Sequence, residues 1–97
     1  MPAPDAHIPQ RELDARPVRR EAVGAALRAA RIAAGLNKQQ AVELSGVSRH
    51  SLMRLEAGSG SMNLDRLWSL ARAYGTTPSA ILAAAEADEA AAETLKP

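Results

Sequence analysis

Cysteine is absent from this 97-residue chain, so neither a disulfide framework nor a thiolate metal site can be built. Histidine is scarce: His7 and His50 stand far apart, and no metal-ligand spacing exists. No apolar run approaches the roughly 20 residues needed to span a bilayer. The N-terminal stretch carries charges and prolines where a secretory leader has an apolar segment, so no leader is expected. Strand-type alternation is missing, and so is any internal repeat, which leaves helix as the periodic signal. The chain fits one domain and is too short to wrap a deep, ligand-sized pocket easily. Serine, histidine and aspartate all occur, but nothing groups them or builds an oxyanion site. Gly58-Ser59-Gly60 follows no strand and has incomplete dinucleotide-binding spacing. No enzyme activity, cofactor or metal is therefore expected.

An excess of one charge is also lacking overall, since the net charge is +1. Its distribution is uneven. Between Arg16 and Arg54 lie Arg16, Arg19, Arg20, Arg28, Arg31, Lys38, Arg49 and Arg54 against Glu21 and Glu43, a balance of +6. From Ala83 onward, Glu86, Asp88, Glu89 and Glu93 outweigh Lys96, a balance of −3. A basic body with an acidic tail suits a polyanionic partner. An ordinary solvated surface has the same signature.

Four of the six prolines (Pro2, Pro4, Pro9 and Pro17) fall before residue 21, which predicts an irregular, mobile arm over residues 1–20. From Glu21 the pattern turns helical, with Val23, Leu27 and Ala30 at helical spacing and Gly35 as the stop. Asn37 and Gln40 form a capping-box pattern for a second helix that reaches Ser45. Ser48 caps a third, which ends at Gly58. Gly58 to Ser61 reads as a flexible loop. Asn63 caps a fourth helix carrying Leu64, Leu67, Leu70 and Ala71, closed by Gly75. Thr77-Pro78 opens a fifth. The alanine- and acid-rich tail, residues 83–97, is expected to continue that helix and fray. Trp68 and Tyr74 are expected in the core.

Two helices joined by Ser45-Gly46-Val47 form a helix-turn-helix pattern. At 100° per residue, Arg49, Met53, His50 and Arg54 fall within about 140° on one side of the third helix, and Leu52 and Leu55 fall on the other. The outer face carries donors suited to base edges: arginine grips guanine with two hydrogen bonds, and histidine donates or accepts. Any amphipathic helix has a polar outer face, so periodicity alone does not assign this one.

The segments GAALRAARIAAGL, AVELSGVSRHSLMRLEAG and LDRLWSLARAYGTTPSAIL resemble the lambda-repressor-like, XRE-type (Cro/C1-type) helix-turn-helix family. The resemblance lies in the joint spacing of Arg31, Gly46, Val47, Ser48, Leu52, Glu56, Gly58, Leu67, Ala71 and Gly75. It implies an all-α domain of five helices over residues 21–82. It also implies a sequence-specific regulator of transcription, a repressor, that binds double-stranded DNA in the cytoplasm with the nucleoid. Ser48, Arg49, His50, Met53 and Arg54 then face the major groove, while Lys38, Gln39 and Asn63 approach the DNA beside them. Lys38 takes a phosphate-contact position. Arg31 and Glu56 resemble the family's ion pair joining the first and third helices. The sequence departs from the family at Ala41-Val42, where leucine then alanine is common; Trp68 or Tyr74 is expected to fill the gap. The loop after the third helix lacks basic residues, and Arg16, Arg19 and Arg20 are expected to contact phosphates instead. One short reading helix covers few base pairs, so a homodimer on an inverted repeat is expected, paired through Ile81, Leu82 and Ala85. An antitoxin that also binds a toxin protein is the alternative.

Overall fold

The computed structural model describes residues 7–97. They form six helices: α1 Gln10–Ala33, α2 Lys38–Ser45, α3 Arg49–Glu56, α4 Leu64–Ala73, α5 Pro78–Glu86 and α6 Glu89–Glu93. No helix among these residues is long and apolar enough to cross a membrane.

The central helices start where the sequence signals them. Asn37 Oδ1 accepts from the Gln40 N–H at 2.8 Å while Gln40 Oε1 accepts from the Asn37 N–H at 2.9 Å, completing the box. Ser48, Asn63 and Thr77 cap α3, α4 and α5 through the N–H groups of Ser51, Arg66 and Ala80. α2 ends at Gly46, whose φ of 75° lies in the left-handed region that glycine enters without a steric penalty. That single residue turns the chain from α2 into α3.

Leu27, Leu52 and Leu70 are completely buried and, with Leu55, Leu67, Ile81 and Tyr74, form one core drawn from α1, α3, α4 and α5. Burying each such leucine contributes about 1.5–3 kcal/mol. Tyr74 occupies this core together with Ala41, whereas Trp68 is 65% exposed and fills no gap beside Ala41. α1 approaches α3 closely because Gly24 carries no side chain. A Cβ there would lie 2.4 Å from the Leu55 carbonyl oxygen and 2.8 Å from that of Glu56.

Both ends differ from expectation. Residues 1–6 of the expected arm lie outside the described residues. The rest is helical from Gln10, with Pro17 inside α1. Pro17 removes one backbone donor, but packing against the tail holds the helix across it. Ala15 is buried and Val18 half-buried on this stretch. Arg19 Nε and Nη2 donate to Thr94 Oγ1 and the Thr94 carbonyl at 2.9 and 3.0 Å, and Arg11 donates to the Lys96 carbonyl. The Arg19 guanidinium also donates to Glu12 and holds its carboxyl below the usual value. At the other end α5 does not run on and fray. It stops at Glu86, and Asp88 Oδ1 caps a separate α6 by accepting from the Ala91 N–H at 2.9 Å. Ala91 is buried in the same core. The six helices thus include one turn that propensity alone does not separate from α5.

Candidate nucleic-acid interface

The support of α3 fixes what it presents. Leu52 and Leu55 point into the core, and Arg49, His50, Met53 and Arg54 stand exposed on the opposite side. Three contacts hold the helix in place: the leucines, the close approach at Gly24, and an ion pair at its C-terminal end. Arg31 Nε and Nη2 donate to Glu56 Oε2 and Oε1 at 2.8 and 3.0 Å, and Arg31 Nη1 donates to the Leu36 carbonyl at 2.9 Å. Arg31 is only 7% exposed. Its hydrogen bonds to Glu56 raise its pKa further, against the opposing effect of burial. The pair expected from Arg31 and Glu56 is therefore a two-bond buried bridge between α1 and α3.

Tyr74 lies in the same region, and its hydroxyl has no partner among the described residues. Burial, reinforced by the Glu56 charge, pushes this phenol up to about 12, against a weaker opposing effect of Arg31.

The outward residues differ in their freedom. Arg49 Nη1 reaches Gln39 Oε1 at 3.5 Å, and Gln39 Nε2 donates to Glu43 Oε1 at 3.1 Å. The first arginine of α3 thus lies beside a polar pair on α2, at the outer limit of hydrogen-bond distance. Arg54 folds back instead. Its Nη2 donates to the Ser59 carbonyl at 2.8 Å, and Ser59 Oγ donates to the Arg54 carbonyl at 3.2 Å. These bonds, with Met62 packed against the core, pin the Gly58–Ser61 loop that composition suggested would be flexible. Ser48 is exposed, but its hydroxyl accepts the capping N–H and donates to Ser51 Oγ at 2.9 Å. Lys38 opens α2, half-buried. Asn63 lies exposed at the start of α4, with its Oδ1 engaged by the Arg66 N–H. His50 and Met53 make no side-chain hydrogen bond among the described residues.

The three arginines expected to reach phosphates separate. Arg16 is exposed on α1. Arg20, together with Arg19, lines a groove with Val23, Leu55, Gly60 and Met62, beside the loop that follows α3. Arg19 binds Thr94, just past the end of α6, and Glu12 through Nε, Nη1 and Nη2, which leaves it poorly placed to serve a phosphate. Ile81 and Ala85, expected on a dimer face, are buried in the chain's own core; of that trio only Leu82 is exposed.

Sequence reasoning missed two residues that position the site. Gly24 sets the approach of α1 to α3, and its signal was visible: a glycine inside a helix costs about 1 kcal/mol relative to alanine, a cost that a close helix contact offsets. Ser59 restrains Arg54, and only the folded loop shows this.

The family model described as "Helix-turn-helix domain" matches residues 22–92. Comparison with curated proteins and with solved structures gives no match.

Proposed function

The chain belongs to the helix-turn-helix domain family, and from that premise we propose that it is a sequence-specific regulator of transcription that binds double-stranded DNA through α3. The observation that carries the reading is the division of α3. One side is locked into the core by Leu52 and Leu55, and the other offers Arg49, His50, Met53 and Arg54 to solvent. A rigid support matters because base readout needs side chains held in register, and an α-helix fits the major groove.

In this reading Arg49, which lies beside Gln39 and is not folded back as Arg54 is, is the principal base-reading side chain. His50 and Met53 lie beside it, and Arg54 joins by exchanging its bond to Ser59 for one to DNA. Ser48, at the mouth of α3, lies against the backbone. Lys38, at the first position of α2, neutralises a phosphate, and Asn63 at the start of α4 meets the backbone on the other flank. Of Arg16, Arg19 and Arg20, Arg16 and Arg20 are the ones whose side chains make no hydrogen bond among the described residues, and they add phosphate contacts. Two copies of the chain read an inverted repeat and repress by occupying the promoter.

Selection of bound duplexes from a random pool tests this. Enrichment of a short inverted repeat, with half-site centres about 34 Å apart, is the expected outcome. Recovery of no consensus, with binding that follows salt alone, would reject sequence-specific reading.

A further inference from the structure

The outer face of α4 is left uncovered by the fold. Leu64 is 73% exposed and Trp68 is 65% exposed, one turn apart. At 100° per residue, Leu64, Trp68, Arg72 and Asp65 share an arc of about 100°. Asp65 and Arg72 are both exposed, and neither has an ionic partner among the described residues. Beside them runs a surface groove of about 640 Å³ that Trp68 shares with Arg72, Thr76, Thr77 and Pro78.

We propose that this face is a self-association surface on which a second copy of the chain packs, α4 against α4 and antiparallel, with Trp68 at the two-fold axis. The occupant follows from the charges. Asp65 and Arg72 lie on either side of Trp68, about 10 Å apart along the helix. An antiparallel crossing about Trp68 brings Asp65 of each copy to Arg72 of the other, so both unpaired charges find partners twice over. An isologous contact requires this self-complementarity, one patch matching itself after a two-fold rotation. A parallel arrangement sets like charges together. The apolar gain is concentrated in Trp68, a residue that buries 150–250 Å² when fully covered. Each Trp68 also adjoins the groove of its own copy, so both knob and recess lie at the contact. One short helix face is small for an interface, which makes the free dimer weak and strengthened by binding adjacent half-sites. The inference names the interface of the homodimer proposed above and moves it from α5 to α4.

The chain's single tryptophan makes the test direct. Sedimentation equilibrium and acrylamide quenching are followed on the full chain from micromolar to millimolar concentration. Dimerisation should accompany a blue shift of Trp68 emission and a loss of quencher access. Asp65→Arg sets like charges opposite each other and should weaken the dimer about tenfold or more. Asp65→Arg with Arg72→Asp should restore it. Trp68→Ala should weaken it about thirtyfold. Unchanged melting of the exposed-site charge variants keeps folding separate from pairing. A chain that stays monomeric throughout overturns the proposal, as does a dimer whose Trp68 remains open to quencher. Loss of pairing in Leu82→Arg but not in Asp65→Arg overturns it in favour of α5. Binding of a duplex with one half-site, measured alongside, distinguishes the two failures. Retained half-site binding by a monomeric chain removes this interface and leaves the DNA-binding reading standing.

Discussion

Removing the Glu56 carboxylate should destabilise the fold far more than the loss of a surface ion pair. Arg31 and Glu56 have side-chain exposures of 9% and 5%. Water therefore cannot replace the missing partner. In Glu56→Ala the guanidinium keeps its bond to the Leu36 carbonyl but loses two others, at 2.8 and 3.0 Å. Stranding a buried charge in this way costs about 3–5 kcal/mol. An exposed pair contributes at most about 1 kcal/mol. Domains of this size have a total stability of about 5–15 kcal/mol, so the loss takes a large share. At about 4–8 °C per kcal/mol, the melting temperature should fall by about 12–40 °C. Thermal and urea unfolding followed by circular dichroism measures both quantities. A paired replacement, Arg31→Met with Glu56→Leu, should recover much of the loss, since it removes the stranded charge along with its partner. A loss in Glu56→Ala below about 1 kcal/mol would refute the reasoning, because the pair would then behave as if solvated.

Three further outcomes follow. Gly24→Ala should be destabilising although alanine is the better helix former by about 1 kcal/mol, because its Cβ meets the Leu55 and Glu56 carbonyl oxygens; a gain in urea midpoint would remove the close approach. Deleting residues 1–20 should lower the melting temperature and remove more helix than the deleted stretch accounts for, because Ala15 and Arg19 no longer hold α6; unchanged melting would reduce that contact to a surface decoration. Tyr74 should ionise at about 12 in the folded chain against 10.0 for a free phenol, so the contribution of its burial to stability is full below pH 10 and is lost as the pH rises towards 12. Absorbance at the phenolate band, with circular dichroism to follow folding, checks it, and ionisation near 10 with the fold intact would contradict it.

The central helices were legible because their ends are written in local chemistry. Asn37 with Gln40, Ser48, Asn63 and Thr77-Pro78 each satisfy backbone N–H groups within three residues, so no distant contact is needed to place them. The outward face of α3 was legible from periodicity, with Leu52 and Leu55 opposite Arg49 and His50. The N-terminal half of α1 was not. Pro17 argues locally against helix, and what outweighs it comes from Thr94 and Lys96 at the far end of the chain. α6 was hidden for the opposite reason: alanine-rich sequence favours helix throughout, and Asp88 as a cap was the one local sign of a break. Trp68 was assigned to the core by residue type, but the neighbours that decide burial are set by tertiary packing. Within the candidate site, identities were readable but restraints were not, since the bond from Arg54 to Ser59 depends on how the loop folds back.

The most direct test of base reading by α3 is the affinity of Arg49→Ala for the selected duplex and for random DNA at one salt concentration. A lost base contact should lower specific affinity by about 1–3 kcal/mol while random binding changes much less. Equal losses on both duplexes would reduce Arg49 to a phosphate contact, and no loss on either would place it off the DNA; either result contradicts base reading by Arg49 at the head of α3.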